Sequence, residues 1–452
     1  MKRYILYFLC LFIMLGGLTG CEKKRGNAGT EGNQAAASDV PSKQEEEPSV
    51  YDASSAEEYA EKILKDMSLD EKIGQMMIVD LKTLNGDKLV QVIPEEDMAA
   101  KKSSKDKKAS KNRKTSKKKK SENKTKTSSI TKVTKKIEAQ LKKYPVGGIV
   151  LFPENMKDKE QTKELVKSLQ EHSNYYPLYI ATTEEWGDKS IFALNEKLGG
   201  TVYPMLSEIS LQKTVDAIYN MGKTTGKELK ELGINLNMAP VADVANGIKN
   251  VQYAKYCYSD DEDEVAEYIE NAVRGMRAGG VCTTLTHFPG VGSVAGDYNN
   301  VLTDNNSGLT RLRDVDFVPF SSGISAGTDA VMVSHVSVSK VTQNDTPASM
   351  SELIVTGILR DELNFDGLIL SDSLSSPVIT SKYEPGAAVL QAIQAGTDIV
   401  VQPANIDLAF AAVREAVSNR SLDERVLNAA VIRILKNKIQ RGIIQIDTAI
   451  TG

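Results

Sequence analysis

The stretch FDGLILSD, residues 365–372, is a turn followed by a short apolar run that stops on a carboxylate. An apolar run without polar alternation suits a strand buried on both faces, as in a parallel sheet. The pattern recurs along the chain. Runs of this kind lie at Ile73–Asp80, Val146–Phe152, Leu178–Thr183, Leu236–Val244, Cys282–Phe288, Ala330–Val336, Leu368–Leu374 and Asp398–Gln402. Amphipathic helical stretches separate them, among them Gln161–Ser173, Leu211–Leu232, Glu262–Ala278 and Ser351–Leu363. Eight strand-then-helix units argue for an α/β fold of the closed (β/α)8 TIM-barrel type over an open doubly wound sheet. No G-x-G-x-x-G follows the first run, which counts against a dinucleotide fold. In such a barrel the chemistry sits at the C-terminal ends of the strands. The polar residues there are Asp80, Glu184, Glu185, Asp243, His287, His335, Asp372 and Gln402.

Composition sets the wider limits. The chain has 452 residues, 41% hydrophobic and 26% charged, enough to bury a large core. This excludes a wholly disordered protein and a multi-span membrane protein. The net charge of −4 gives no general attraction to nucleic acid. Locally the balance is broken: Lys101 to Thr127 holds 14 Lys and Arg against 2 Asp and Glu. The segment 94–129 cannot build a core and reads as a disordered insertion in the barrel domain. Its charge suits an anionic lipid or an anionic wall polymer; a merely solvated loop is the plain alternative.

The N-terminus points to the cell envelope. A short basic start precedes an apolar stretch from Tyr4 to Met14, followed by Leu18-Thr19-Gly20-Cys21. This reads as a secretory signal over residues 1–20. The last four residues resemble a bacterial lipobox, which implies lipidation of Cys21 and a membrane anchor. Residues 21–52 then form a flexible tether, and the barrel domain runs over 53–452. Cys257 and Cys282 make neither a disulfide framework nor a zinc motif; buried thiols or one disulfide both fit.

Four segments carry a family resemblance: GINLNMAPVAD (233–243), THFPG (286–290), VMVSH (331–335) and FDGLILSD (365–372). They resemble the N-terminal barrel of glycoside hydrolase family 3, in its β-N-acetylhexosaminidase branch. MSLDEKIGQ (67–75), VGGIVLF (146–152) and AGTD (395–398) resemble its opening, second strand and close. The resemblance covers about Tyr59 to Lys438, apart from the lysine-rich insertion. It implies a retaining glycosidase without metal or organic cofactor, acting on a glycan or peptidoglycan fragment, as a monomer.

The resemblance also implies roles. Asp372 matches the family's carboxylate nucleophile. The family's acid/base is an Asp-x-His pair on the loop after the fifth strand; here Asp297 matches the Asp and Asn299 stands where the His belongs. A neutral amide cannot exchange a proton near pH 7. Substrate-binding positions match Asp243, His287 and His335, and others are altered. Thr183 replaces an Asp, Asp188 an Arg, and Lys255 a further Arg. Trp186, at the mouth of the third strand, is placed to stack on a sugar face or to pack inside. Two readings follow: a hexosaminidase-like hydrolase with an altered proton relay, or a catalytically silent barrel that binds a glycan or an envelope partner. Asn299 is the feature that separates them.

Overall fold

The computed structural model describes residues 53–86, 129–173, 175–212, 214–245 and 251–446. The expected signal, tether, lipid-acceptor Cys21 and residues 94–128 of the lysine-rich insertion lie outside them. Each expected run contains a strand: β1 Met77–Asp80, β2 Gly148–Val150, β3 Tyr179–Thr182, β4 Leu236–Asn237, β5 Cys282–Phe288, β6 Ala330–Val333, β7 Leu368–Ser371 and β8 Val400–Val401. All pair in parallel in the order β7-β6-β5-β4-β3-β2-β1-β8. One parallel bridge, Leu370 to Ile399, joins β7 to the residue before β8 and closes the ring. The fold is a (β/α)8 barrel. Its strands are almost wholly buried, which explains their unalternating composition.

The helices follow the sequence with two differences. The stretch expected as one helix over Leu211–Leu232 is two, Leu206–Gln212 and Val215–Glu231, broken at the extended backbone of Thr214. The stretch Ser351–Leu363 carries a wider π-type turn over Leu353–Glu362. Helix Glu262–Ala278 matches its expected bounds, with Asp261 accepting from the N–H groups of Asp263 and Glu264. It packs against Val215–Glu231 so closely that a Cβ on Gly275 would lie 2.2 Å from the Tyr219 carbonyl oxygen.

The last helix, Glu424–Gln440, ties together the base of the barrel. The fully buried Lys438 donates to Gln75 Oε1 (2.8 Å), Gly147 O (2.9 Å) and Pro177 O (2.8 Å), all just before β1, β2 and β3. Arg433 reaches Asp398 before β8, and Arg441 reaches Asp329 before β6. With the N-terminal ends fixed in this way, the opposite ends are held in register for the site.

Candidate active site

Asp372 directly follows β7. Its N–H donates to the Val333 carbonyl of β6 (2.9 Å), and its Oδ1 accepts the N–H of Ser373 (2.6 Å). The side chain is half-buried at the mouth. His335 lies beneath it, fully buried. Its Nε2 meets the Ser373 carbonyl at 2.9 Å and its Nδ1 the Ser349 hydroxyl at 2.8 Å. A carbonyl only accepts, so Nε2 carries the proton and Nδ1 accepts from Ser349. Burial draws this imidazole below its ordinary value, against the Asp372 charge and the Ser373 carbonyl. With both nitrogens satisfied inside the protein, His335 positions the Asp372 turn. It offers no free polar atom to a sugar, which corrects the expected binding role.

Across the mouth a second cluster forms. Asp243, wholly buried after β4, accepts three hydrogen bonds: Val291 N–H on Oδ1 (2.7 Å), and the Tyr253 hydroxyl (2.7 Å) and His287 Nδ1 (2.9 Å) on Oδ2. Burial alone would lower the His287 imidazolium. The hydrogen bond and charge of Asp243, helped by Glu185 and Asp372, outweigh it and raise the group above its ordinary value. The Tyr298 ring lies edge-on to both His287 and Tyr253, at 5.8 Å in each case. Tyr253 and Tyr298 are site residues that the sequence reading missed; only the folded chain brings Tyr253 to Asp243 and Tyr298 against His287.

The other expected residues divide. Asp297 is exposed and closes its own turn, accepting from the Asn299 N–H (3.1 Å) and the Asn300 side-chain amide. Asn299 is exposed, and its carbonyl accepts the Val378 N–H. Thr183 is half-buried just past β3. Lys255 is paired with Asp188 at 2.6 Å, and Lys189 and Lys255 both lie over the Tyr256 ring. The two residues expected to stand in place of family arginines thus occupy each other. Trp186 is buried, its indole N–H on Thr225 (2.9 Å) and its ring edge-on to Tyr203. It packs inside and does not stack at the mouth. Its left-handed backbone (φ 64°) turns the side chain inward, held by the Glu184 carboxylate on its N–H.

Three further buried features lie in the barrel. Glu184 is fully buried and accepts from Trp186, Ser190 and Ile191; burial still pushes its carboxyl up to about 7. Asp316 is buried beside Gly290, with no hydrogen bond to either carboxylate oxygen from the described residues. No sequence signal marks it. Cys257 and Cys282 are free buried thiols, which settles the choice left open. Among the described residues no three His, Cys, Asp or Glu side chains converge as metal ligands.

The chain matches the glycosyl hydrolase family 3 N-terminal domain over residues 68–437. It is 29% identical over 330 residues to a β-hexosaminidase A of Pseudoalteromonas piscicida, covering 66% of this chain and 54% of that protein. The chain therefore spans about half the length of that relative. It is 33% identical over 282 residues to a β-hexosaminidase of Xylella fastidiosa (strain 9a5c), covering 61% and 82% of the two. Among solved structures, a family 3 β-N-acetylglucosaminidase from Paenibacillus sp. str. FPU-7 superposes with a TM-score of 0.68 at 25% identity, over 84% of this chain and 65% of that one.

Proposed function

The chain belongs to glycosyl hydrolase family 3, and from that premise we propose that it removes terminal β-linked N-acetylhexosamine residues from glycans by a retaining displacement on Asp372. The observation that carries this reading is the placement of Asp372. Its backbone is pinned to β6, and the turn after it is held by His335. A nucleophile held on rigid elements is what a two-step displacement requires. The β-hexosaminidase names of the relatives support an N-acetylhexosamine as the sugar. A peptidoglycan fragment suits an envelope protein anchored through Cys21, with the lysine-rich insertion toward an anionic lipid or wall polymer.

A second reading is favoured by Asn299, by the self-capped Asp297 and by the mutual pairing of Asp188 and Lys255. On that reading the barrel binds a glycan or a partner without turnover. One experiment decides between them. The protein from Glu22 onward is incubated with an aryl β-N-acetylglucosaminide beside Asp372→Asn, with and without azide. An activated aryl group leaves with little protonation, and azide needs no base. Turnover that is lost in Asp372→Asn supports the hydrolase. Silence in both proteins, even with azide, supports the binding module.

A further inference from the structure

We propose that His287, oriented by Asp243 and Tyr253, is the group that moves the proton in this site. The inference rests on the hydrolase reading above. A retaining displacement needs one group that gives a proton to the leaving oxygen and later takes one from water. The chain contains three histidines. His172 ends the outer helix Lys159–His172 and bonds the Ser168 carbonyl through Nδ1 (2.7 Å). His335 has both nitrogens occupied. His287 alone joins a fixed Nδ1 to an Nε2 with no hydrogen-bond partner among the described residues.

The orientation has a physical cause. Asp243 Oδ2 accepts from the Tyr253 hydroxyl and from His287, so the His287 proton on that side sits on Nδ1. The 3.2 Å contact between the Tyr253 oxygen and Nδ1 is then two donors meeting on one acceptor. Nε2 is left as the exchanging position, on a ring 13% exposed above a carboxylate that is 0% exposed. This is the arrangement of an acid/base imidazole held by a buried carboxylate. The charged groups around the ring are Asp243 beneath it, Glu185 from the end of β3 and Asp372 from β7, with Tyr253 and Tyr298 against its sides. The three carboxylates favour the imidazolium, the form a proton donor needs at neutral pH. Glu185 is the rival donor: it is half-buried, and no described residue holds it by a hydrogen bond.

As the C1–O bond to the leaving group breaks, the Asp372 carboxylate bonds C1 and His287 Nε2–H protonates the departing oxygen. Water then bonds C1 as the Asp372 ester breaks, and neutral Nε2 takes the water proton. His287 is the catalytic residue here; Asp243 and Tyr253 are positioning residues.

The test compares wild type, His287→Gln, Asp243→Asn, Glu185→Gln and Asp372→Asn on a dinitrophenyl β-N-acetylglucosaminide and on a β-linked N-acetylglucosamine disaccharide. Expected for His287→Gln is a loss of about 10²-fold or more on the disaccharide. Cleavage of the dinitrophenyl bond should stay within about tenfold, azide should restore turnover as glycosyl azide, and the alkaline limb of kcat/KM should vanish. Asp243→Asn should move that limb to lower pH. Equal losses on both substrates without azide rescue would overturn the proposal and leave His287 a binding residue. The same split in Glu185→Gln in place of His287→Gln would overturn it too. If wild type and Asp372→Asn are both silent on both substrates, the hydrolase reading itself fails. Should His287→Gln not fold, nitrogen NMR of the wild-type ring decides. A midpoint above 6.5 that falls in Asp372→Asn is expected, and a midpoint below 6.5 contradicts the dyad.

Discussion

Replacing Lys438 by Met should change how stability depends on pH, and the size can be worked from its surroundings. The ammonium is 0% exposed and meets only neutral acceptors, from Gln75, Gly147 and Pro177. Burial draws its ordinary value of 10.5 down to about 7 in the folded chain. Between those values the unfolded chain holds a proton that the folded chain has released. Stability therefore rises with pH across that window. Below about 7 both states are charged, and the folded state bears the full cost of about 5 kcal/mol. Lys438→Met removes the titration and leaves the Gln75 and Pro177 acceptors unmet, at about 1–3 kcal/mol each, while Gly147 O keeps the Tyr179 N–H. Urea unfolding of both proteins at pH 6 and pH 10 separates the two effects. The wild type should gain on Lys438→Met by about 4 kcal/mol between the two pH values. Parallel pH dependence, within about 1 kcal/mol, would refute the argument.

Glu184 should act with the opposite sign. Its raised value, about 7 against 4.5, means that stability falls as pH rises through that window, by about 3 kcal/mol, and Glu184→Gln should flatten the fall; identical pH dependence in both proteins would count against its burial. Trp186 is the chain's single tryptophan, so native fluorescence should be blue-shifted and resist acrylamide until unfolding, whereas a quenchable, red-shifted native emission would place it at the mouth after all. His335→Ala takes one of two donors from the Ser373 carbonyl, which keeps the Ser376 N–H, and strands the buried Ser349 hydroxyl. The loosened Asp372 turn should lower kcat by about tenfold with KM changed only a few-fold, about 1.4 kcal/mol for the one hydrogen bond lost; an unchanged kcat would remove His335 from that role.

The barrel was legible because its strands are buried on both faces and read as uninterrupted apolar runs, from Ile73–Asp80 to Asp398–Gln402. Asp372, Asp243 and His287 were legible because each ends such a run. What they touch was not. Tyr253 reaches Asp243 from a segment with no periodic pattern, and Tyr298 reaches His287 from a loop. Position at a strand end also misled. His335 ends a run, yet its nitrogens are spent on Ser349 and Ser373. Trp186 follows β3, yet its positive φ turns the indole toward Thr225. Lys438 gave no signal at all: a lysine at the end of an amphipathic helix reads as surface, and only closure of the barrel buries it under three strands.

The central claim is that Asp372 bonds the anomeric carbon. It is tested most directly by incubating the protein with a 5-fluoro N-acetylglucosaminyl fluoride, which forms a glycosyl–enzyme ester quickly and releases it slowly. Peptide mass spectrometry then locates the adduct. The expected result is one added sugar on the peptide that carries Asp372, and none in Asp372→Asn. An adduct on another carboxylate, or an unmodified protein that still turns over the aryl glycoside, would contradict it.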